Sequence, residues 1–252
     1  MTKKAPTLAT SSAALPPDGA QSALGRPGGG FTRIKICGLT REQDVDAAVA
    51  AGADAVGFVL YRQSPRHVTP ERAAELARRL PPFVTPVLLF VNEEASTVIA
   101  ASARIPGAVI QFHGDETPAQ CLAATERGAR PFLRAARIPL GAAGRGFDLV
   151  KYALDYSGAQ AILLDAHVDG FGGGGKAFDW SLLPPSVNSH LVLSGGLTPA
   201  NVIDGILQLR PRCKSLAVDV SSGVEQSKGI KDATKINQFV AAVRAADSQL
   251  AG

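Results

Sequence analysis

From Phe31 onward the chain alternates two textures. Short runs of β-branched and apolar residues are separated by longer stretches rich in Ala, Leu and Arg with helical spacing. The short runs predict strands over Arg33–Cys37, Ala55–Leu60, Pro86–Val91, Ala108–Phe112, Pro131–Arg137, Ala161–Asp165, His190–Ser194 and Ser215–Val220. The longer ones predict helices over Arg41–Ala51, Pro70–Leu80, Ala95–Ala103, Pro118–Gly128, Leu149–Asp155, Pro199–Leu209 and Ala233–Ala246. The sixth connection, Phe178–Pro185, reads as short and irregular. Thr69-Pro70-Glu71 and Thr198-Pro199 are helix-start signals, a capping hydroxyl just ahead of a first-turn proline. Strand–helix alternation implies parallel strands joined by crossovers. Eight such units in roughly 220 residues favour a closed (β/α)₈ TIM barrel, an α/β fold in one domain. An open doubly wound sheet would carry G-x-G-x-x-G after its first strand, where Lys35-Ile36-Cys37-Gly38-Leu39-Thr40 has a single glycine.

Residues 1–30 break the pattern. They are rich in Ala, Ser, Pro and Gly without an apolar period, so burial cannot offset their ordering entropy. A flexible N-terminal extension is expected there, ahead of a barrel domain over residues 31–252. The extension also lacks the apolar stretch of a secretory signal. Of 252 residues 46% are hydrophobic and 19% charged, an ordinary globular balance that supports a large core. Cys37, Cys121 and Cys213 are odd in number and far apart, which argues against a disulfide framework or zinc site and for a cytoplasmic protein. No apolar run approaches the roughly 18 residues of a membrane span. The net charge of +4 is spread along the chain, and three tyrosines and one tryptophan offer no stacking platform for nucleic acid. Mild basicity suits attraction of anionic metabolites instead.

Barrel enzymes carry their chemistry at the C-terminal strand ends. Gly195-Gly196 after the seventh strand and Ser221-Ser222-Gly223 after the eighth are small residues where backbone N–H groups can converge on a phosphate, helped by a following helix N-terminus. Either pair alone would be a tight turn; together, at these positions, they favour phosphate. Cys37 closes the first strand at the mouth. A cysteine there is usually packing, but nearby cations would lower its pKa and make it a base. Lys35 points the same way by the period of two. Asp165 closes an apolar run, across the barrel from Cys37, where desolvation would suit it as a general acid. Arg66, on the loop after the second strand, can hold a carboxylate bidentately. The fifth strand brings Arg134 and Arg137 to the same rim. His113 reads as a structural or supporting donor, since four scattered histidines make no metal site. The run Asp169–Lys176, with four consecutive glycines, fits a mobile lid about as well as plain floppiness.

Taken in order, these strand ends resemble the phosphoribosylanthranilate isomerase family of tryptophan biosynthesis. The resembling stretches are Lys35–Thr40, Gly57-Phe58-Val59 through Ser64-Pro65-Arg66, Gln111–Glu116, Leu163-Leu164-Asp165, Gly172–Lys176 through Phe178-Asp179-Trp180, Ser194–Pro199 and Val218–Glu225. Each is weak alone; seven in one order are specific, and they cover the chain from about Arg33. Ser194 and Phe112 depart from the commoner alanine and leucine. The resemblance implies a barrel with no cofactor, monomeric or weakly dimeric. It implies an Amadori rearrangement of N-(5-phosphoribosyl)anthranilate, with Asp165 protonating the furanose oxygen and Cys37, as thiolate, removing the C2 proton. It also implies that Arg66 lies near the anthranilate end and that Gly195, Gly196, Ser221, Ser222 and Gly223 bind phosphate. The enzyme rivals are other phosphate-binding barrels. A dual-function isomerase of histidine and tryptophan synthesis would carry aspartate in place of Cys37, and a metal-dependent epimerase would need inward His and Asp ligands on several strands. A catalytically silent sugar-phosphate-binding barrel would share the phosphate loops.

Overall fold

A computed structural model describes residues 30–167 and 179–251. The expected extension, apart from Gly30, and the expected glycine lid lie outside these residues. Eight parallel strands form a closed barrel in chain order: β1 (Arg33–Cys37), β2 (Ala55–Val59), β3 (Thr85–Phe90), β4 (Val109–Phe112), β5 (Phe132–Pro139), β6 (Ala161–His167), β7 (Val187–Leu193) and β8 (Cys213–Val220). The ring closes where β8 pairs with β1, Lys35 standing opposite Asp219. Around it run α1 (Glu42–Ala50), α2 (Pro70–Ala77), α3 (Ala95–Ala103), α4 (Pro118–Ala124), α5 (Leu149–Asp155), α6 (Val202–Leu209) and α7 (Ala233–Ala251). Among the described residues, the sixth connection holds only a 3₁₀ turn over Trp180–Leu182. No helix among them is long and apolar enough to cross a membrane.

Local chemistry explains most boundaries. The Thr69 side chain accepts from the Arg72 N–H, and Thr117 forms a reciprocal capping box with Gln120, so α2 and α4 begin at their prolines. The Thr198-Pro199 signal instead marks a turn: the Asn201 side chain accepts from the Thr198 N–H, and α6 begins only at Val202. β5 and β6 run two residues past their expected ends, paired as Ile138↔Ala166 and Pro139↔His167. β7 starts at Val187, ahead of a register shift, because the polar Asn188-Ser189 interrupts the alternation that marks a strand.

The period of two divides each strand between two cores. Ile34, Ile36, Phe58, Phe90 and Phe112 face outward and join the large cluster shared with the helices. Ala135, Leu163 and Val192 fill the barrel interior, and Cys37, Val59, Leu89 and Val91 form a smaller cluster. The interior positions two residues further along, towards the C-terminal mouth, carry polar side chains: Arg137 beyond Ala135 and Asp165 beyond Leu163. That places the site.

Candidate active site

Cys37 ends β1 buried, at 4% exposure. Two residues deeper, Lys35 Nζ lies 2.9 Å from Asp219 Oδ1 of β8, with both side chains 5% exposed. The Ser194 hydroxyl donates a longer bond, 3.4 Å, to the other Asp219 oxygen. Gly57 of β2 leaves room for this group, since a Cβ there would lie 2.7 Å from Cys37 Sγ and 3.0 Å from Lys35 Nζ. The sequence suggested that cations would lower the Cys37 pKa. Instead burial pushes the thiol up, with Asp219 adding to it, and the pull of Lys35 and Lys231 does not overcome this. For Lys35, burial favours the neutral amine, but Asp219 and Cys37 outweigh it and the pKa rises to about 12. Burial thus favours the protonated Cys37 thiol, which lies beside the Lys35–Asp219 ion pair.

Asp165 sits in β6 on the same interior face, buried. Its Oδ1 accepts from the Ala166 N–H at 2.8 Å, and its Oδ2 lies 2.8 Å from His113 Nε2. His113, a structural or supporting donor by sequence, thus contacts Asp165 directly, and its Nδ1 lies 3.0 Å from Gln111 Nε2. Gly195 completes the pocket. Its φ is +76°, and a Cβ would lie 2.6 Å from Asp165 Oδ1 and 2.7 Å from the Ala166 nitrogen. Gly195→Ala is expected to lower kcat/KM about 10²-fold, the scale set by displacing a reacting group about 1 Å. Steady-state kinetics on folded variant would check this, and unchanged kcat/KM would show that Asp165 tolerates the push.

The loops after β7 and β8 meet: a Cβ on Gly223 would overlap the Leu197 carbonyl. Among the described residues, the backbone N–H groups of Gly195, Gly196 and Gly223 have no protein acceptor. Unpaired donors converging from two loops suit an anion. A 3₁₀ turn over Ser222–Val224, rather than an α-helix, follows β8. The Ser221 hydroxyl takes a different direction from the one expected. Lys231 Nζ donates to Ser221 O at 3.0 Å and Oγ at 3.2 Å, which ties that side chain to a neighbouring ion cluster.

That cluster centres on Glu225 in the hairpin of β9 (Glu225–Ser227) and β10 (Ile230–Lys231). Arg66 grips it with two bonds, Nε to Oε1 at 2.7 Å and Nη2 to Oε2 at 2.8 Å, and Lys231 Nζ adds a third at 2.9 Å. Burial would raise the Glu225 pKa, but Arg66 and Lys231 hold it below the usual carboxylate range. Arg66 is buried beside the first strand, its Cδ 2.5 Å from where a Gly38 Cβ would stand. Its carboxylate partner here is the protein's own, with Nη1 unpartnered among the described residues.

Of the two arginines expected at the rim, Arg137 pairs with Asp115 at 3.1 Å, while Arg134 turns outward. Arg134 lies 4.9 Å from the Tyr156 ring centre and donates to the carbonyls of Phe112 and Gly114, bracing the loop that carries His113. Sequence reasoning gave no role to Asp219, Gln111, Glu225 or Lys231. The period of two carries a signal for the first two, as inward residues of β8 and β4. Lys231, on a two-residue strand, has none.

Residues 34–242 match the family model described as N-(5'phosphoribosyl)anthranilate (PRA) isomerase. The chain belongs to that family. It is an isomerase of tryptophan biosynthesis. A curated relative from Leptothrix cholodnii, N-(5'-phosphoribosyl)anthranilate isomerase, is 62% identical over 218 residues, covering 86% of this chain and 93% of its own. A second, from Methylibium petroleiphilum, is 62% identical over 220 residues, covering 87% and 97%. Among solved structures, the phosphoribosyl anthranilate isomerase of Thermotoga maritima superposes with a TM-score of 0.73 at 38% identity, covering 85% of this chain and all of its own. A further isomerase structure, in complex with reduced 1-(o-carboxyphenylamino)-1-deoxyribulose 5-phosphate, superposes at 0.67 with 35% identity, covering 85% of this chain and 100% of its own.

Proposed function

We propose that Asp165 is the general acid and Cys37 the general base of the isomerase reaction, the Amadori rearrangement of N-(5'-phosphoribosyl)anthranilate. The observation that carries this reading is their placement. Both face the barrel interior, Cys37 as the last residue of β1 and Asp165 two residues short of the end of β6, and a Cβ on Gly195 in the loop after β7 would stand 2.6 Å from Asp165 Oδ1. Phosphate held by Gly195, Gly196, Ser222, Gly223 and the Ser221 backbone sets the sugar beside the acid. Asp165 passes a proton to the furanose oxygen, the C1–O bond breaks, and the anthranilate nitrogen lone pair forms the iminium. Cys37, having first lost its thiol proton to solvent, then takes the C2 proton, whose acidity the adjacent iminium raises. The resulting enolamine tautomerises to 1-(2-carboxyphenylamino)-1-deoxyribulose 5-phosphate. Arg66 meets the anthranilate carboxylate through Nη1 while Glu225 keeps its plane fixed. The assay is the loss of anthranilate-type fluorescence as substrate is consumed. A purified chain that binds the substrate without consuming it would instead be the silent sugar-phosphate-binding barrel.

The three cysteines are free and buried, which fits a reducing cytoplasm. A weak homodimer is the assembly we favour. Phe83 is 100% exposed, with a φ of 72°, and lines a cavity of about 590 Å³ at the N-terminal end of the barrel with Val87, Val109 and Leu133. A knob and a hollow on one face are satisfied together by a two-fold axis. The Thermotoga maritima enzyme is described as dimeric. Sedimentation should show a concentration-dependent dimer that Phe83→Ser converts to monomer. A wild-type chain monomeric at every concentration would exclude it.

A further inference from the structure

Gln111 and His113 are buried in β4 and the loop after it, and the proton transfers above use neither. Gln111 Nε2 lies 3.0 Å from His113 Nδ1, and His113 Nε2 lies 2.8 Å from Asp165 Oδ2. The other end of the amide, Gln111 Oε1, is buried without a partner among the described residues. When Asp165 is ionised its Oδ2 can only accept, which puts the imidazole hydrogen on Nε2 and leaves Nδ1 to accept from the amide. The chain therefore runs in one direction, amide to imidazole to carboxylate. Reversal would need the amide turned over, the hydrogen on Nδ1 and a proton on Asp165 Oδ2.

The two carboxylate oxygens face different surroundings. Oδ2 faces His113, while Oδ1, which accepts one bond from the Ala166 N–H, packs against Gly195 of the anion loop. We propose that Gln111 and His113 are positioning residues that keep Asp165 Oδ2 a permanent acceptor and confine the acid's transferable proton to Oδ1. This rests on the reading of Asp165 as the acid. One proton from solvent loads Oδ1 and leaves for the furanose oxygen. The imidazole keeps its hydrogen on Nε2 in both states. When the proton departs, the carboxylate formed already has two donors in place, so nothing must reorient as charge develops.

The test is ¹⁵N imidazole NMR on the full chain, with His113 assigned from the His113→Gln variant. Spectra are taken alone and with the reduced 1-(o-carboxyphenylamino)-1-deoxyribulose 5-phosphate as probe. The Nε2–H tautomer is expected in both. An Nδ1–H tautomer or an imidazolium in the complex would overturn the proposal, because the proton would then ride on Oδ2. Kinetics supply a second arm. His113→Leu should lower kcat about 10- to 10²-fold with KM unchanged, the scale of a misplaced catalytic group. His113→Gln, whose amide nitrogen can take the place of Nε2, should restore most of that loss. Gln111→Glu, which can only accept from Nδ1, should lower kcat like His113→Leu. A rise in KM with kcat intact would mean that His113 touches substrate, and the proposal would fail. Full turnover by Asp165→Asn would instead defeat the reading of the acid itself, a separate result.

Discussion

Asp165→Asn is expected to lower kcat by about 10²–10⁴-fold, the usual contribution of a positioned proton donor, with KM nearly unchanged. The amide keeps the size of the carboxyl, and its oxygen can still accept from His113. What it lacks is a transferable proton. Cys37→Ser should cost about as much for the opposite step, since a hydroxyl in this buried place ionises far less readily than a thiol. Each variant should still bind substrate, because the proposed anion cradle of Gly195, Gly196 and Gly223 is untouched. The two losses should not add, because ring opening and C2 deprotonation are successive steps of one path. Progress curves of fluorescence at saturating substrate measure both. Wild-type kcat in either variant would strip that residue of its role.

The barrel was legible because its signal is repeated. Eight apolar runs with helical spacers leave few topologies, and all eight expected strands overlap observed ones. Cys37 and Asp165 stand out in the sequence for a local reason, as polar or reactive residues following runs of apolar ones, and the structure buries both. What the text concealed is pairing. Lys35 and Asp219 are 184 residues apart and meet only because the ring closes between β8 and β1. Arg66 and Glu225 are 159 apart and meet through a hairpin too short to have a period. Arg66 read as a free carboxylate receptor because no sequence rule says that the protein supplies one of its own. The sign of the Cys37 shift is hidden in the sequence for a related reason. Cations near a strand end suggest stabilised thiolate, yet depth of burial, which is set by the whole ring, outweighs them.

Asp219→Leu should destabilise the fold by about 3–5 kcal/mol, because it leaves the Lys35 ammonium buried without its partner. In a domain of this size that is a fall in Tm of roughly 6–20 °C. The double variant Lys35→Met/Asp219→Leu should recover most of it, since an apolar pair of similar volume replaces both charges. Activity should not recover with it. Lys35 pulls the Cys37 pKa down while burial and Asp219 raise it, so a neutral pair leaves burial less opposed. The base works when deprotonated, and the rising limb of kcat against pH should therefore move to higher pH in the double variant. Asp219→Asn alone should move it the other way, because the carboxylate that opposes the thiolate is gone while the ammonium stays. The pair's own titration does not confuse the comparison. The Lys35 pKa is raised from 10.5 to about 12, so its stabilising effect is complete below 10.5 and fades only as pH rises through about 12. Thermal unfolding at neutral pH and a kcat profile on the same samples separate the two effects. Recovery of stability and activity together would reduce Lys35 and Asp219 to packing, with no hold on the thiol.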